Sequence, residues 1–181
     1  MDIQEALDKI IEAVDTFNSM LEVFEPESGA DLLLIEASVL IASNESTETN
    51  QSKYLWEKVS KSVLHITSVL KLALPAFSTA ASANQSHYHF NDIDRKEEFD
   101  LSLQRLDANA RLVTNEYDLA LTRLNRVPDS DNKQRLTQAL KETYNYLCVV
   151  YSTINKGISV INQGDPTVKF DHIAEPAKRP L

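Results

Sequence analysis

From Asp94 to Arg126 an apolar residue recurs at every third or fourth position without a miss: Phe99, Leu103, Leu106, Ala110, Val113, Tyr117, Ala120, Leu124 and then Val127. A stripe held over four heptads fits one long amphipathic helix and no strand, because a strand alternates with a period of two. Such a helix is roughly 50 Å long and buries its stripe only against partners of similar length. Leu106 and Val113 fall at its middle and are expected in the core.

The rest of the chain supplies those partners. Ile3, Leu7, Ile10, Val14, Phe17, Leu21 and Phe24 define a first helix from Asp2, ended by Pro26 and Gly29. Ser28 opens a second, whose body from Leu32 to Ala42 is apolar nearly all round, which places it centrally. After a polar loop over 43–52, Trp56, Val59, Val63, Ile66, Leu70 and Ala73 mark a third helix from Lys53 to Leu74. Pro75 should end or kink it, with Phe77 keeping the spacing toward Ser82. Residues 83–91 read as the longest irregular connection. The heptad helix is fourth. Pro128-Asp129-Ser130 turns the chain into a fifth, carrying Leu136, Leu140, Tyr144, Leu147, Tyr151, Ile154, Ile158 and Ile161 and stopped by Gly164-Asp165-Pro166. The expected fold is all-α: an antiparallel bundle of about five helices over residues 1–164, without a sheet. Residues 165–181, with three prolines and no periodic seam, read as an extended tail or linker.

Composition supports helices and narrows function. Three glycines in 181 residues is far below the usual share of roughly 7%, and hairpins need glycine for positive φ. The single Cys148 excludes an internal disulfide framework, and Met1-Asp2-Ile3-Gln4-Glu5 opens with acid where a secretory signal carries cations. No apolar run approaches the roughly 18–20 residues of a membrane span, so a cytoplasmic protein is expected. Residues 1–50 hold twelve carboxylates against Lys9, a field that repels nucleic acid and anionic lipid. On the first helix Glu5, Asp8, Glu12 and Asp15 lie off the apolar seam. They are either a solvated face paired with Arg105, Arg111 or Arg123, or a docking surface for a basic protein partner.

Little in the sequence points to chemistry. Gly29, Gly157 and Gly164 are isolated, so no phosphate-cradling loop is written, and no Gly-x-Ser-x-Gly elbow occurs. One cysteine cannot build a zinc site, and no acid stands three residues before a histidine as bundle di-metal sites require. His87 and His89, with Asp92 and Asp94 beyond, are the remaining metal candidates, read here as exposed loop residues. His65, beside Leu64 and Ile66, reads as a partly buried structural histidine rather than a phosphotransfer residue, because Lys71 is six positions on and bulky Val69 and Leu70 stand between. Asn44, Asn50 and Asn84 begin Asn-x-Ser triplets in expected loops. No catalytic, cofactor or metal residue is expected.

The stretch Tyr54-Leu-Trp-Glu-Lys-Val-Ser-Lys-Ser-Val-Leu-His-Ile-Thr-Ser-Val-Leu-Lys-Leu-Ala-Leu-Pro-Ala-Phe77 resembles the Trp-led helix of the N-terminal helical domains of fungal NACHT-type, NLR-like receptors. Leu136 to Ile161 is similar to the long closing helix of those domains. Together the two stretches cover about a quarter of the chain. The resemblance implies an adaptor or cell-death signalling role with no catalytic residues to carry over. A non-catalytic interaction domain, binding a protein partner or a second copy, is therefore expected. A membrane-acting bundle and an enzyme with an internal pocket are the competing classes.

Overall fold

The computed structural model describes residues 1–24, 47–85, 90 and 92–180. These form four α-helices and one 3-10 turn, with no strand among the described residues. The expected helix over 32–42 and the pair His87 and His89 lie outside them.

α1 (Ile3–Leu21) starts at a capping box: Asp2 Oδ1 accepts from Glu5 N at 2.8 Å, while Asp2 N donates to Glu5 Oε2 at 3.4 Å. A 3-10 turn, Glu22–Phe24, follows and buries Phe24. α2 (Thr47–Gln85) departs furthest from expectation. It begins inside the supposed polar loop and continues through Pro75, as the spacing of Phe77 suggested, past Ser82 to Gln85. Proline in a helix costs about 3 kcal/mol. Here Pro75 sits on the exposed side, and burial of Ala73, Leu74, Phe77, Ala80 and Ala81 around it outweighs that cost. Asn84, expected in a loop, is a buried helical residue whose Nδ2 donates to Ala80 O at 2.9 Å and Arg95 O at 3.3 Å.

α3 (Ile93–Leu124) is the heptad helix. Asp92 caps it by accepting from the amides of Asp94 and Arg95. Leu106 and Val113 are buried at its centre, as the stripe requires. Ser130 caps α4 (Asp131–Gly164) by accepting from Lys133 N. α3 runs antiparallel to both α2 and α4. His65 of α2 faces Glu116 of α3, and Tyr151 of α4 reaches Leu106 of α3. α1 closes the ring between α2 and α4. Gly157 allows this approach: a methyl group there would overlap Ile10 Cδ1, which is fully buried.

After α4 the chain turns at Pro166 and Thr167, then runs to Pro180 without helix or strand. This tail lies back along the bundle, with Val168, Phe170, Ile173 and Pro176 buried. Phe170 joins Phe77, Phe90 and Phe99 in an aromatic cluster with ring centroids 5.1–5.5 Å apart. Buried Asp165 anchors the turn into this segment, accepting from Phe90 N at 3.1 Å and Thr167 N at 3.0 Å.

Candidate interaction surfaces

Three surfaces stand out, each set by how a helix distributes its residues. The first is the outer face of α1. Glu5, Asp8, Glu12 and Asp15 are all exposed and share one stripe, roughly opposite the buried Leu7, Ile10, Val14 and Phe17. Glu5 also serves the fold in the capping box, and Asp15 does so by accepting from Ser78 Oγ at 3.4 Å. The arginines expected opposite them lie elsewhere. α3 sits diagonally across the bundle from α1, and Arg123 turns to α2, donating to Lys58 O at 3.2 Å and Ser62 Oγ at 2.8 Å.

The second surface is the outer seam of α2 and α3. Val69, Leu72, Ala73, Arg105, Ala108 and Asn109 line a groove of about 420 Å³. Leu72 is 78% exposed, and Leu101, one helical turn before Arg105 on α3, is 55% exposed. His65 stands at one end. It is half open to solvent, more exposed than expected, and its Nδ1 lies 3.5 Å from Glu116 Oε1. The helical step from Val63 and Ile66 puts His65 on the flank of the core stripe, which accounts for the difference.

The third surface is the seam of α3 and α4, occupied by the tail. Asn162 binds one tail residue through both halves of its amide: Nδ2 donates to Phe170 O and Oδ1 accepts from Phe170 N, both at 2.9 Å. Asn155, two turns earlier, does the same to Ile173 at 2.9 and 2.8 Å. From α3, Asp107 accepts from Ala174 N at 2.7 Å and Thr114 from Ala177 N at 3.1 Å. Tyr144 OH donates to Ala177 O. Arg179 grips Asp118 in a fork, Nε to Oδ1 at 2.9 Å and Nη2 to Oδ2 at 2.7 Å.

No family model, curated protein or solved structure matches the chain.

Beneath the tail the seam is rich in hydroxyls and rings. Tyr117 and Tyr144 stack with centroids 3.9 Å apart and planes within 5°. Burial, then the neighbouring Tyr144, pushes the Tyr117 pKa up to about 12. Burial likewise raises Tyr144, Tyr151 and the Cys148 thiol, so all four stay protonated near neutrality. Tyr151 donates to Leu106 O at 2.8 Å, a carbonyl inside α3. Every fully buried side-chain nitrogen and oxygen among the described residues has a hydrogen-bond partner. The cavity where Phe17, Val63, Leu70, Val113 and Leu147 meet is about 30 Å³, room for a water and little more. Among the described residues no three His, Cys, Asp or Glu side chains converge as a metal set would.

Sequence reasoning missed the tail's seat. One signal was present: Asn155 and Asn162 are spaced by one heptad on the polar edge of α4, opposite a tail with apolar residues at 168, 170 and 173.

Proposed function

We propose that this chain is a non-catalytic helical-bundle domain acting through its surface, an adaptor or signalling module that docks on another protein. The observation that carries the reading is the α2–α3 groove, with Leu72 78% and Leu101 55% exposed on two long, closely packed helices. Large apolar side chains left open on the outer faces of two packed helices favour a contact with another protein. Among the described residues the interior supports the same reading, since its buried polar side chains are engaged in hydrogen bonds and the cavity lined by Phe17, Val63 and Leu147 is too small for a substrate. The acidic stripe of α1 supplies a second, charge-selective face for a basic partner. The likeness of two helices to the N-terminal domains of fungal NACHT-type receptors points the same way.

The test is a pull-down with three full-length baits: wild type, Leu72→Lys with Leu101→Lys, and the quadruple variant Glu5→Gln, Asp8→Asn, Glu12→Gln, Asp15→Asn. A partner retained by wild type should be lost with the groove variant while all three melt together. Equal retention by all three baits would defeat the reading.

A membrane-acting bundle is the second reading. Tyr54–Asn84 within α2 is long and apolar enough to cross a bilayer, and only 39% of its most apolar window is buried. Leakage of dye from anionic liposomes by the pure protein would favour it over the adaptor. Intact liposomes would remove it.

A further inference from the structure

We infer that the α3–α4 groove is a binding site for extended peptide chain, filled in cis by the molecule's own tail and open in trans to the tail of a second copy. The chain would then self-associate by tail exchange. This goes beyond the docking role of the α2–α3 groove and uses none of its residues.

The groove reads main chain. Asn162 and Asn155 each satisfy both the N–H and the C=O of one tail residue, as a neighbouring strand would. Recognition of that kind fixes an extended conformation while leaving side-chain choice to the pockets. The spacing is matched as well. Three extended residues span about 9–10 Å and seven helical residues about 10.5 Å. Phe170 and Ile173, three residues apart, therefore meet Asn162 and Asn155, one heptad apart. The next step brings Pro176 O to within 3.7 Å of the Cys148 Sγ. One more step of three reaches Arg179 and its fork onto Asp118. The ligand pattern is an aromatic, an aliphatic, a proline and an arginine at every third position.

Nothing in these contacts requires tail and groove to belong to one molecule. The complementary ligand is the chain's own segment. A second copy brings the same residues to the same partners, which is the low-cost route to a dimer by exchange. The cis tail joins α4 through the turn at Asp165 and so outcompetes a free second copy; exchange shows clearly once the cis contact is weakened.

The experiment pairs two full-length variants. The donor, Asn155→Ala with Asn162→Ala, has an intact tail and a damaged groove. The acceptor, Phe170→Ala, has an intact groove and a weakened tail. Mixed, they should sediment as a heterodimer, and labelled donor should bind this acceptor at least about a hundredfold more tightly than it binds wild type. If Phe170→Ala is not folded by circular dichroism, the Arg179→Ala chain serves as acceptor, with a smaller gain expected. A mixture of folded donor and folded acceptor that sediments only as monomers overturns the inference. So does a donor that binds equally well to an acceptor whose own Asn155 and Asn162 are replaced by alanine. Leu72→Lys with Leu101→Lys should leave the exchange unchanged, which separates its outcome from that of the α2–α3 reading.

Discussion

α3 meets its two neighbours in different ways. Against α2 it packs directly: Phe77 meets Phe99 at 5.5 Å, and Arg123 reaches across to a backbone carbonyl and Ser62. Against α4 the helices stand further apart, bridged by the Tyr117–Tyr144 stack and by Tyr151, with the tail laid along the seam. The first seam is a product of apolar periodicity on both sides. The second is finished by a segment with no helical periodicity, whose backbone groups are satisfied by side chains of Asn155, Asn162, Asp107 and Thr114. A helical bundle can therefore be completed by irregular chain, provided the flanking helices carry acceptors and donors at the right pitch.

The largest expected effect tests whether the two seams share one core. Phe99 touches α2 through Phe77 and the tail through Phe170, and is fully buried. Phe99→Ala should cost about 3–5 kcal/mol, and Leu106→Ala about 2–5 kcal/mol, read from urea midpoints. Phe170→Ala should fall in the same range as Phe99→Ala if the tail belongs to the core. A midpoint shifted by Phe99→Ala but not by Phe170→Ala would make the tail an ornament on a bundle that stands without it.

Next in size are the amides under the tail. Asn155→Ala removes two hydrogen bonds to Ile173, which should cost about 1–3 kcal/mol. Hydrogen exchange at the Ile173 amide should accelerate, while amides in the α2–α3 seam keep their protection. Equal acceleration in both seams would show that they open together and would dissolve the distinction between them.

A smaller difference should appear with pH. Tyr117 titrates near 10.0 when unfolded and at about 12 in the fold, so the fold holds its proton more tightly. Its contribution is fully present below pH 10 and is lost as pH rises toward 12. Tyr144 and the Cys148 thiol, raised by burial, add losses of the same sign; Arg179 and Asp118 face Tyr144, and Lys178, Glu175 and Arg179 face Cys148. Denaturation midpoints should be flat from pH 7 to 9 and fall above 10. Tyr117→Phe should soften that fall. An unchanged alkaline slope in the variant would place the loss elsewhere.

How much of this was legible in the chain follows from the same contrast. Helical period located α1, α3 and α4, because each has one stripe of large apolar residues; of the caps Asp2, Asp92 and Ser130, only Ser130 was read from the sequence. The span of α2 was underestimated at both ends. Past Pro75 the spacing of Phe77 carried the expected helix toward Ser82, and it runs on to Gln85 with Leu74 and Phe77 fully buried beside the proline. Asn84 looked like loop because asparagine favours turns, yet its amide bridges Ala80 and Arg95 inside the fold. The tail was read as a strap without a seat because its hydrogen bonds run to side chains on two different helices, Asn155 and Asn162 on α4 and Asp107 and Thr114 on α3. The groove on α2 was not anticipated either. Leu72 falls off the apolar stripe of α2, which marks it as outward-facing, but the groove beside it is set by the register of α2 against α3.

The smallest effect on stability should come from the face with the most charge. Glu5, Asp8, Glu12 and Asp15 are exposed on α1, away from both seams of α3. Replacing all four by their amides removes net charge from an acidic helix and so relieves some self-repulsion. Glu5→Gln keeps the reciprocal arm of the capping box, since glutamate and glutamine both serve there. Asp15→Asn still leaves an oxygen for Ser78 Oγ to donate to. The melting temperature should therefore stay within error of wild type, and the urea slope should not change. Binding should behave differently. A basic partner held by this face would be released by the quadruple variant, and in wild type would weaken between low and moderate salt, because exposed charges are screened over about 10 Å at 0.1 M. A partner held by Leu72 and Leu101 would ignore both changes. A clear drop in melting temperature would show that these carboxylates belong to the fold, and would move the search for a partner entirely to the α2–α3 groove.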